Sequence, residues 1–443
     1  MHARILLSLL VLGGIALDLP AQRRRPPTGR PAPAAPDNQP APPPAASLDR
    51  SKVKAWTLYK GADLHLGTGE VLRRGELLVG DDKIFAIGTG LDLPEGGKVI
   101  ECAGRVISPG FVAVRALGLG QPSGNPGKAA DGVNPFDPTI KMALAAGITS
   151  YGAIFEGGTA SPDGRSAVLK LAFGDLKGMV LQEDSVLQMR VPLNPQQWQT
   201  LRDQVKKVQD HKKAVAEHAA KKDNTPAPKP PAGTEKLLRV IDREARLWIG
   251  AAGAYDNDAI REALEVARLL DVGVVLVEPL TAWSIPDEVA ATGSMAIVNP
   301  RQVADPDPGR KDSTGSNLAQ CRILSETGVA VAVTTPRGGF AGGPSIGTGG
   351  IMGQDLNTPH IDAAFAVRGG MDNREALRTL TLDAARILGA ESRIGSLEVG
   401  KDADLLILDG DPLHYRTFVQ IAVVNGKVVY EKDKEPFYSH IGR

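Results

Sequence analysis

A unit of helix, glycine and apolar strand recurs along the middle of the chain and constrains the fold more than any other feature. The stretch PTIKMALAAGITSYGAIF indicates a helix that begins at Pro138, ends at Gly147 and is followed by a β-branched and aromatic strand. NDAIREALEVARLLDVGVVLVEP, IPDEVAATGSMAIVNP and NLAQCRILSETGVAVAVTTP repeat this order with Gly273, Gly293 and Gly328. Nearly continuous apolar strands are typical of parallel strands buried on both faces. Four such units predict a parallel α/β fold, either a closed barrel or an open doubly wound sheet.

Short strands with glycine turns flank this core on both sides. The N-terminal flank contains GELLVGDDKIFAIGTG, and the C-terminal flank contains IAVVNGKVVYEK, in which Asn425-Gly426 is a strong hairpin signal. The two ends of a domain often lie close together. We therefore expect residues 51–108 and 390–434 to form one composite β-sandwich beside a core of residues 109–389.

Low-complexity segments lie outside these ordered parts. Residues 1–21 have a basic start, an apolar run too short to span a bilayer and a small residue for cleavage, which predicts a signal peptide. Residues 22–50 are rich in Pro and Ala and are predicted to be a disordered linker. A charged, Pro-rich excursion is predicted at 211–235. We expect export to the periplasm or the extracellular space, with no transmembrane segment after cleavage.

Charge and cysteine content bear on partners and redox state. The chain has 51 Lys and Arg against 51 Asp and Glu, so nothing in its charge indicates a nucleic-acid partner. Its two cysteines, Cys102 and Cys321, could pair only if the fold brought them together. Two free, buried thiols are the favoured interpretation.

Several phrases resemble the amidohydrolase superfamily, and particularly its imidazolonepropionase-like branch. They are GELLVGDDKIFAIGTG, VISPGF, EALRTLTLDAARILGAESRIGSLEVGKDADLLILDGDPL and VVNGKVVY, so the resemblance covers most of residues 56–432 apart from the excursion. It implies an α/β fold of the TIM (β/α)8 type, with a small β-sandwich domain formed by the N- and C-terminal flanks. It also implies zinc or another divalent metal at the C-terminal mouth of the barrel, and a homodimer is compatible with it.

The metal ligands that the resemblance implies are missing from the matching positions, apart from Glu278 at the strand-6 position, a single carboxylate that could ligate but cannot hold a catalytic ion alone. A His-x-His pair should follow PGF, where this sequence has Arg115 and Leu117, and an Asp should follow strand 8, where it has Pro336. Arginine cannot ligate a cation because its guanidinium is always protonated, and leucine has no donor atom. The strand-5 phrase GAAGAYDND holds no histidine, and the strand-4 position is uncertain, with Lys170 as a lysine that could be carboxylated. We predict a degenerate metal site and no cofactor.

A ligand site at the barrel mouth would draw on Arg115, Glu278, Thr334, Thr335 and His360. Arg115 would supply a fixed positive charge, the threonines hydroxyls, and Glu278 a counter-charge, which suits an anionic or zwitterionic ligand. Two simpler interpretations stay open: Arg115 as a structural partner of Glu278, and His360 as a residue in the first turn of a helix. No catalytic residue is assigned.

Three functions are compatible with these observations. The favoured one is an exported amidohydrolase-like protein that is non-catalytic and binds an unidentified small molecule or protein. The alternative is a metal-dependent hydrolase of non-peptide or dipeptide C–N bonds, such as those of cyclic amides, whose ligands lie elsewhere. A hydrolase without the family's metal is the third, although no local Ser–His or Cys–His phrase supports it.

Overall fold

The computed structural model describes residues 48–116, 119–120, 128–155, 159–221, 226–250, 257–334 and 359–436. Its strands are β1 (Trp56–His65), β2 (Val71–Gly80), β3 (Lys83–Gly88), β4 (Lys98–Glu101), β5 (Val106–Pro109), β6 (Phe111–Ala113), β7 (Ile148–Phe155), β8 (Arg165–Lys170), β9 (Val180–Glu183), β10 (Val186–Met189), β11 (Arg246–Gly250), β12 (Val275–Val277), β13 (Met295–Val298), β14 (Val331–Val333), β15 (Leu405–Leu408), β16 (Val419–Val424) and β17 (Lys427–Glu431). Its α-helices are α1 (Pro138–Ala145), α2 (Leu176–Met179), α3 (Pro195–Lys221), α4 (Glu235–Ile241), α5 (Asp258–Leu270), α6 (Pro286–Ala291), α7 (Gln320–Glu326), α8 (Pro359–Arg368), α9 (Asn373–Arg378) and α10 (Leu382–Leu388).

The two flanks of the chain meet in one eight-stranded sheet. Its order is β17-β16-β15-β5-β1-β2-β3, with β4 beside β1, and β15 pairs antiparallel with β5. The predicted hairpin turn is present, because Asn425 and Gly426 have φ values of 51° and 71°, the left-handed pair that a type I′ turn requires. The N- and C-terminal flanks thus join in a single sheet, whereas the composite β-sandwich stays a prediction.

Three of the four predicted helix–strand units contribute β12, β13 and β14 to a second, parallel sheet in the order β10-β11-β12-β13-β14, whereas the strand of the first unit, β7, lies in a different sheet. Helix α5 shows why these units pack as they do. Its apolar residues Ile260, Leu264, Ala267 and Leu270 lie on one face and are all buried. The helix ends at Asp271 in the left-handed conformation, and Val274, just before β12, is fully buried. The same amphipathic spacing predicts this helix from the sequence.

A third sheet, β6-β7-β8-β9, departs from the parallel pattern. Strands β6 and β7 are parallel, but β8 is antiparallel to β7 and β9 is antiparallel to β8. Within the described residues the strands do not close into a barrel. β6 and β14 are bridged by the segment before α10: Val112 N–H donates to Leu380 O at 2.7 Å, and Val333 N–H donates to Thr379 O at 3.4 Å.

Three further predictions can be compared with the structure. Helix α3 runs to Lys221, so the predicted excursion at 211–235 begins inside a helix. Cys102 and Cys321 are both free and buried, as favoured from the sequence. None of the described helices combines the length and apolar character needed to cross a membrane.

Candidate functional site

A pocket lies at the C-terminal ends of β6 and β14. It is a small cleft that is partly open to solvent. The carboxyl ends of parallel strands are where α/β barrels and open sheets place their sites. The lining residues are Val112, Ala113, Val114, Arg115, Val333, Thr334, Pro359, Asp362 and Leu380.

Three polar residues line this otherwise apolar pocket, each contributed by a different element. Arg115 follows β6 by two residues and is half-buried, and Thr334 directly follows β14 and is buried. Asp362 belongs to the first turn of α8 and is 1% exposed. A few convergent polar groups in an apolar pocket are typical of a small-molecule site. Two of the five predicted ligand-binding residues, Arg115 and Thr334, are thus brought together.

Asp362 is the most perturbed group in the pocket. Arg301 Nε lies 2.7 Å from Asp362 Oδ1, so the two side chains form an ion pair. Burial raises the pKa of Asp362 to about 7, although the charge of Arg301 acts in the opposite direction. A buried carboxyl that titrates near neutrality beside a pocket is a candidate general acid or base.

His360 lies at the start of α8 and Glu278 just after β12, and neither residue lines the pocket. His360 is in the first turn of α8, as the simpler interpretation had it, and burial lowers its pKa to about 4. Glu278 follows β12, is 7% exposed and has a φ of 54°. A non-glycine residue in this left-handed region costs about 1–3 kcal/mol and persists only where its surroundings require it. Because Asp362 lines the pocket and Glu278 does not, Asp362 takes the counter-charge role that was predicted for Glu278.

Several predicted positions cannot be placed. Leu117, Thr335 and Pro336 lie outside the described residues, as does the stretch 251–256 after β11. Their roles as degenerate ligand positions or ligand-binding residues stay predictions.

The interpretation of Lys170 as a carboxylated metal ligand is wrong. Because β8 is antiparallel to β7, its last residue pairs with Ser150 near the N-terminal end of β7, away from the strand ends that carry the pocket. Lys170 Nζ lies 2.5 Å from Asp402 Oδ2, 2.8 Å from Asp404 Oδ2 and 2.7 Å from Asn425 Oδ1. A carbamate would place a negative charge against two carboxylates. The geometry supports an ammonium ion instead.

The same ion cluster explains part of the phrase that carries the family resemblance. Asp402, from the GKDADLLILD stretch, has a fully buried side chain and also pairs with Lys83 and Arg393, at 2.7 Å from Arg393 Nη2. Burial by itself would raise the pKa of Asp402, but the charge of Lys170 and its hydrogen bond, with those from Lys83 and Arg393, hold it below its usual value. This cluster ties β8 to the sheet of the flanks and has a structural role.

The donor set of the pocket does not fit a divalent metal. Arg115 brings a permanent cation into the lining, and Asp362 is its one acidic member. Over the part of the chain that the structure describes, no group of three or more His, Cys, Asp or Glu side chains is arranged to hold a metal ion. Zinc sites use three or four protein ligands. The residues seen here are therefore poor hosts for the metal that the resemblance implies.

Comparisons with known proteins agree with the fold and the sequence phrases. A model of the amidohydrolase family matches residues 294–430. An amidohydrolase from Thermotoga maritima MSB8 is similar in structure, with 25% identity, a TM-score of 0.63, and coverage of 85% of this chain and 100% of that one. The chain is therefore similar to members of the amidohydrolase superfamily in part of its sequence and in its fold. Its α/β fold is of the TIM-barrel kind.

Part of the sequence is similar to imidazolonepropionases. It is 26% identical to the imidazolonepropionase of Fusobacterium nucleatum over 169 residues, covering 36% of this chain and 38% of the relative. It is 30% identical to the imidazolonepropionase of Syntrophobacter fumaroxidans over 176 residues, with coverage of 36% and 38%. The matched part thus spans about two fifths of the length of these relatives. All three named proteins are enzymes by name, which favours the alternative function over the non-catalytic one.

Asp362 is the residue that the sequence analysis missed. An Asp in the first turn of a helix commonly caps or charges the helix N-terminus, so this position alone does not point to a pocket. A signal was available nonetheless. Pro359, Asp362, Ala363 and Ala366 are the buried residues of α8, so the carboxylate lies on the apolar face of the helix.

Proposed function

We propose that this protein is a hydrolase that acts on a C–N bond of a small molecule, of the cyclic amide or dipeptide kind, in the pocket at the ends of β6 and β14. One observation carries the proposal: Asp362 is buried, its pKa is about 7, and it lines the same pocket as Arg115 and Thr334. The enzymatic names of the relatives support the reaction class.

Each polar residue has a part in such a reaction. Above pH 7 the ionised Asp362 takes a proton from a water molecule as the water oxygen attacks the carbonyl carbon. Arg115 places its positive charge near the carbonyl oxygen, where negative charge develops. When the C–N bond breaks, Asp362 returns the proton to the leaving nitrogen, so the group is restored. The apolar lining keeps bulk water away and strengthens both interactions.

Binding without turnover is the second candidate. It is favoured by the sequence itself, since Arg115, Leu117 and Pro336 stand where the resemblance implies two histidines and an aspartate. In this case the partner is a small molecule or a protein that occupies the pocket. For either function we propose that residues 1–21 direct export of the chain.

An activity assay with one matched variant separates these proposals. Purified chain is offered a panel of cyclic amides and dipeptides, with and without a chelator, and amide-bond cleavage is measured by release of amine or ammonia. The proposed hydrolase gives turnover that rises through about pH 7, survives the chelator and falls roughly 100-fold or more in Asp362→Asn. Turnover that the chelator abolishes would overturn the role given to Asp362. Ligand binding with no turnover would favour the second candidate.

A further inference from the structure

We propose that Asn425 is a site of spontaneous deamidation that the folded chain keeps closed, and that Lys170 is the residue that closes it. The sequence contains one Asn-Gly dipeptide, Asn425-Gly426, in the turn between β16 and β17. A glycine after asparagine leaves the backbone nitrogen open to reaction, because it has no Cβ. The inference does not depend on the proposed function, since none of these residues lines the pocket.

The reaction is an intramolecular attack within the turn. The backbone nitrogen of Gly426 forms a bond to Cγ of Asn425, the bond from Cγ to Nδ2 breaks, and the proton of the attacking nitrogen leaves with ammonia. Water then opens the succinimide ring to an aspartate or an isoaspartate. The attack needs the two atoms about 3–3.5 Å apart and correctly aligned. Its rate therefore depends on how freely the Asn425 side chain can turn.

The fold requires this reactive pair. Asn425 and Gly426 have φ values of 51° and 71°, and asparagine and glycine are the residues that adopt such left-handed conformations most readily. A Cβ at position 426 would overlap the carbonyl oxygen of Asp81. The glycine that makes the pair reactive thus cannot be replaced without moving the turn.

Hydrogen bonds restrain both reacting groups. Oδ1 of Asn425 accepts from Lys170 Nζ at 2.7 Å, and Nδ2 donates to the carbonyl oxygen of Gly178 at 3.0 Å. The backbone N–H of Gly426 donates to the carbonyl oxygen of Ala403, also at 3.0 Å. Turning the carboxamide toward the attacking nitrogen breaks the bonds at Oδ1 and Nδ2. Removing the proton from that nitrogen breaks the bond to Ala403.

Lys170 supplies the charged restraint. Its side chain is 1% exposed, and Asp402 and Asp404 hold its Nζ at 2.5 and 2.8 Å. A hydrogen bond from a charged donor is about twice as strong as a neutral one. The same charge also draws electrons from Cγ and so favours attack, but one polarising donor contributes about 10²–10³ in rate, whereas correct orientation is worth an effective molarity of about 10⁵–10⁸ M. Restraint of the side chain therefore dominates.

Deamidation would make an opening of this junction permanent. An aspartate at position 425 places a carboxylate oxygen against the carbonyl oxygen of Gly178, where Nδ2 now donates. It also adds another carboxylate to those of Asp402 and Asp404 around Lys170. An isoaspartate lengthens the backbone of the turn by one methylene. Either product weakens the contact between β8 and the sheet of the flanks.

Peptide mapping of the intact purified chain measures the reaction. Trypsin releases residues 417–427, whose mass rises when the amide of Asn425 becomes a carboxylic acid. At about pH 8, the folded wild type is expected to deamidate at least about 100-fold more slowly than the same chain unfolded in urea. Rates that agree within about threefold in the two states would overturn the proposal.

Variants test the part given to Lys170. Lys170→Met, in conditions where circular dichroism shows it folded, is expected to deamidate at least about tenfold faster than the wild type. Gly273→Ala is the matched control, because a Cβ there overlaps the carbonyl oxygen of Gly293 in the parallel sheet. It is compared at the urea concentration that gives both variants the same free energy of unfolding. A slower reaction in Lys170→Met than in the wild type, or an equal acceleration in Gly273→Ala, would overturn the role of Lys170.

Asp404→Asn serves where Lys170→Met does not fold. It keeps Oδ1, which accepts from the backbone N–H of Asn425 at 2.7 Å, and removes one of the negative charges that hold Lys170. We expect deamidation of the folded variant to be about threefold faster than that of the wild type. An unchanged rate would contradict the restraint by Lys170.

Discussion

Replacing Lys170 by methionine should destabilise the fold strongly while leaving its hydrophobic volume nearly unchanged. The Lys170 side chain is 1% exposed and its Nζ contacts three oxygen atoms, at 2.5, 2.7 and 2.8 Å. Methionine retains the aliphatic stem and removes the charge. Within the part of the chain that the structure describes, Asp404, whose side chain is 4% exposed, then keeps only the hydrogen bond from the backbone N–H of Asn425.

The expected cost is about 3–5 kcal/mol, because removing one member of a buried ion pair leaves an uncompensated charge in the interior. Asp402 retains Lys83 and Arg393, which places the loss nearer the lower end of that range. Such a cost is a large part of the free energy of unfolding of an ordinary domain, about 5–15 kcal/mol.

Urea unfolding followed by circular dichroism measures this loss as a lower midpoint with an unchanged slope. Lys427→Met is the control, since Lys427 and Asp175 form an ion pair with side chains 70% and 36% exposed, and exposed pairs contribute about 0–1 kcal/mol. If Lys170→Met costs no more than Lys427→Met, the buried cluster does not stabilise the fold as reasoned here.

The pH dependence gives a second, independent reading of the same cluster. The folded-state pKa of Asp402 is below its usual 3.8, so its stabilising contribution is fully present above about that pH and is lost as the pH falls through the folded-state value. The difference in free energy of unfolding between the wild type and Lys170→Met should therefore be largest near neutrality and shrink in acid. A difference that grows below pH 4 would contradict the assigned charges.

Further predictions concern the pocket and the strand that leads into it. Asp362→Asn should stabilise the chain at pH 8 by roughly 1–4 kcal/mol. Folding raises the pKa of this carboxyl group from 3.8 to about 7, so the wild type loses stability as the pH rises between those values. Urea unfolding at pH 5 and pH 8 checks this, and an equal effect of the substitution at both pH values would refute it. Gly110→Ala should cost about 1–3 kcal/mol, since its Cβ would lie 1.9 Å from Thr149 Oγ1. Gly250→Ala, where a Cβ meets no atom of the described residues within 4 Å, is the matched control, and similar thermal midpoints for the two would exclude that clash.

The parts of the fold that the sequence predicted depend on local signals. Helix α5 and the turn at Asn425-Gly426 are determined by residues within a few positions of each other, through an amphipathic face and a pair of left-handed backbone conformations. The direction of β8 is not local in this sense. An apolar strand looks the same whether its neighbour is parallel or antiparallel, so the sequence could not show that β8 runs against β7.

Local sequence could likewise predict one part of the candidate site but not the other. Arg115 could be identified because it stands in a recognisable phrase after PGF, at the end of a strand. The role of Asp362 depends on Arg301, 61 positions away, and on burial by the ends of β6 and β14, none of which the local sequence encodes. Lys170 and Asp402 are separated by 232 positions, so no sequence motif could predict their pairing.

Metal content of the purified chain tests the central claim most directly, namely that Arg115 and Asp362 form a pocket that works without the family's metal. The chain is prepared without chelators and read by elemental analysis. We expect less than about a tenth of an equivalent of zinc, manganese, iron or nickel. About one or two tightly held equivalents would show that other residues hold a metal and that the site described here is not the functional one.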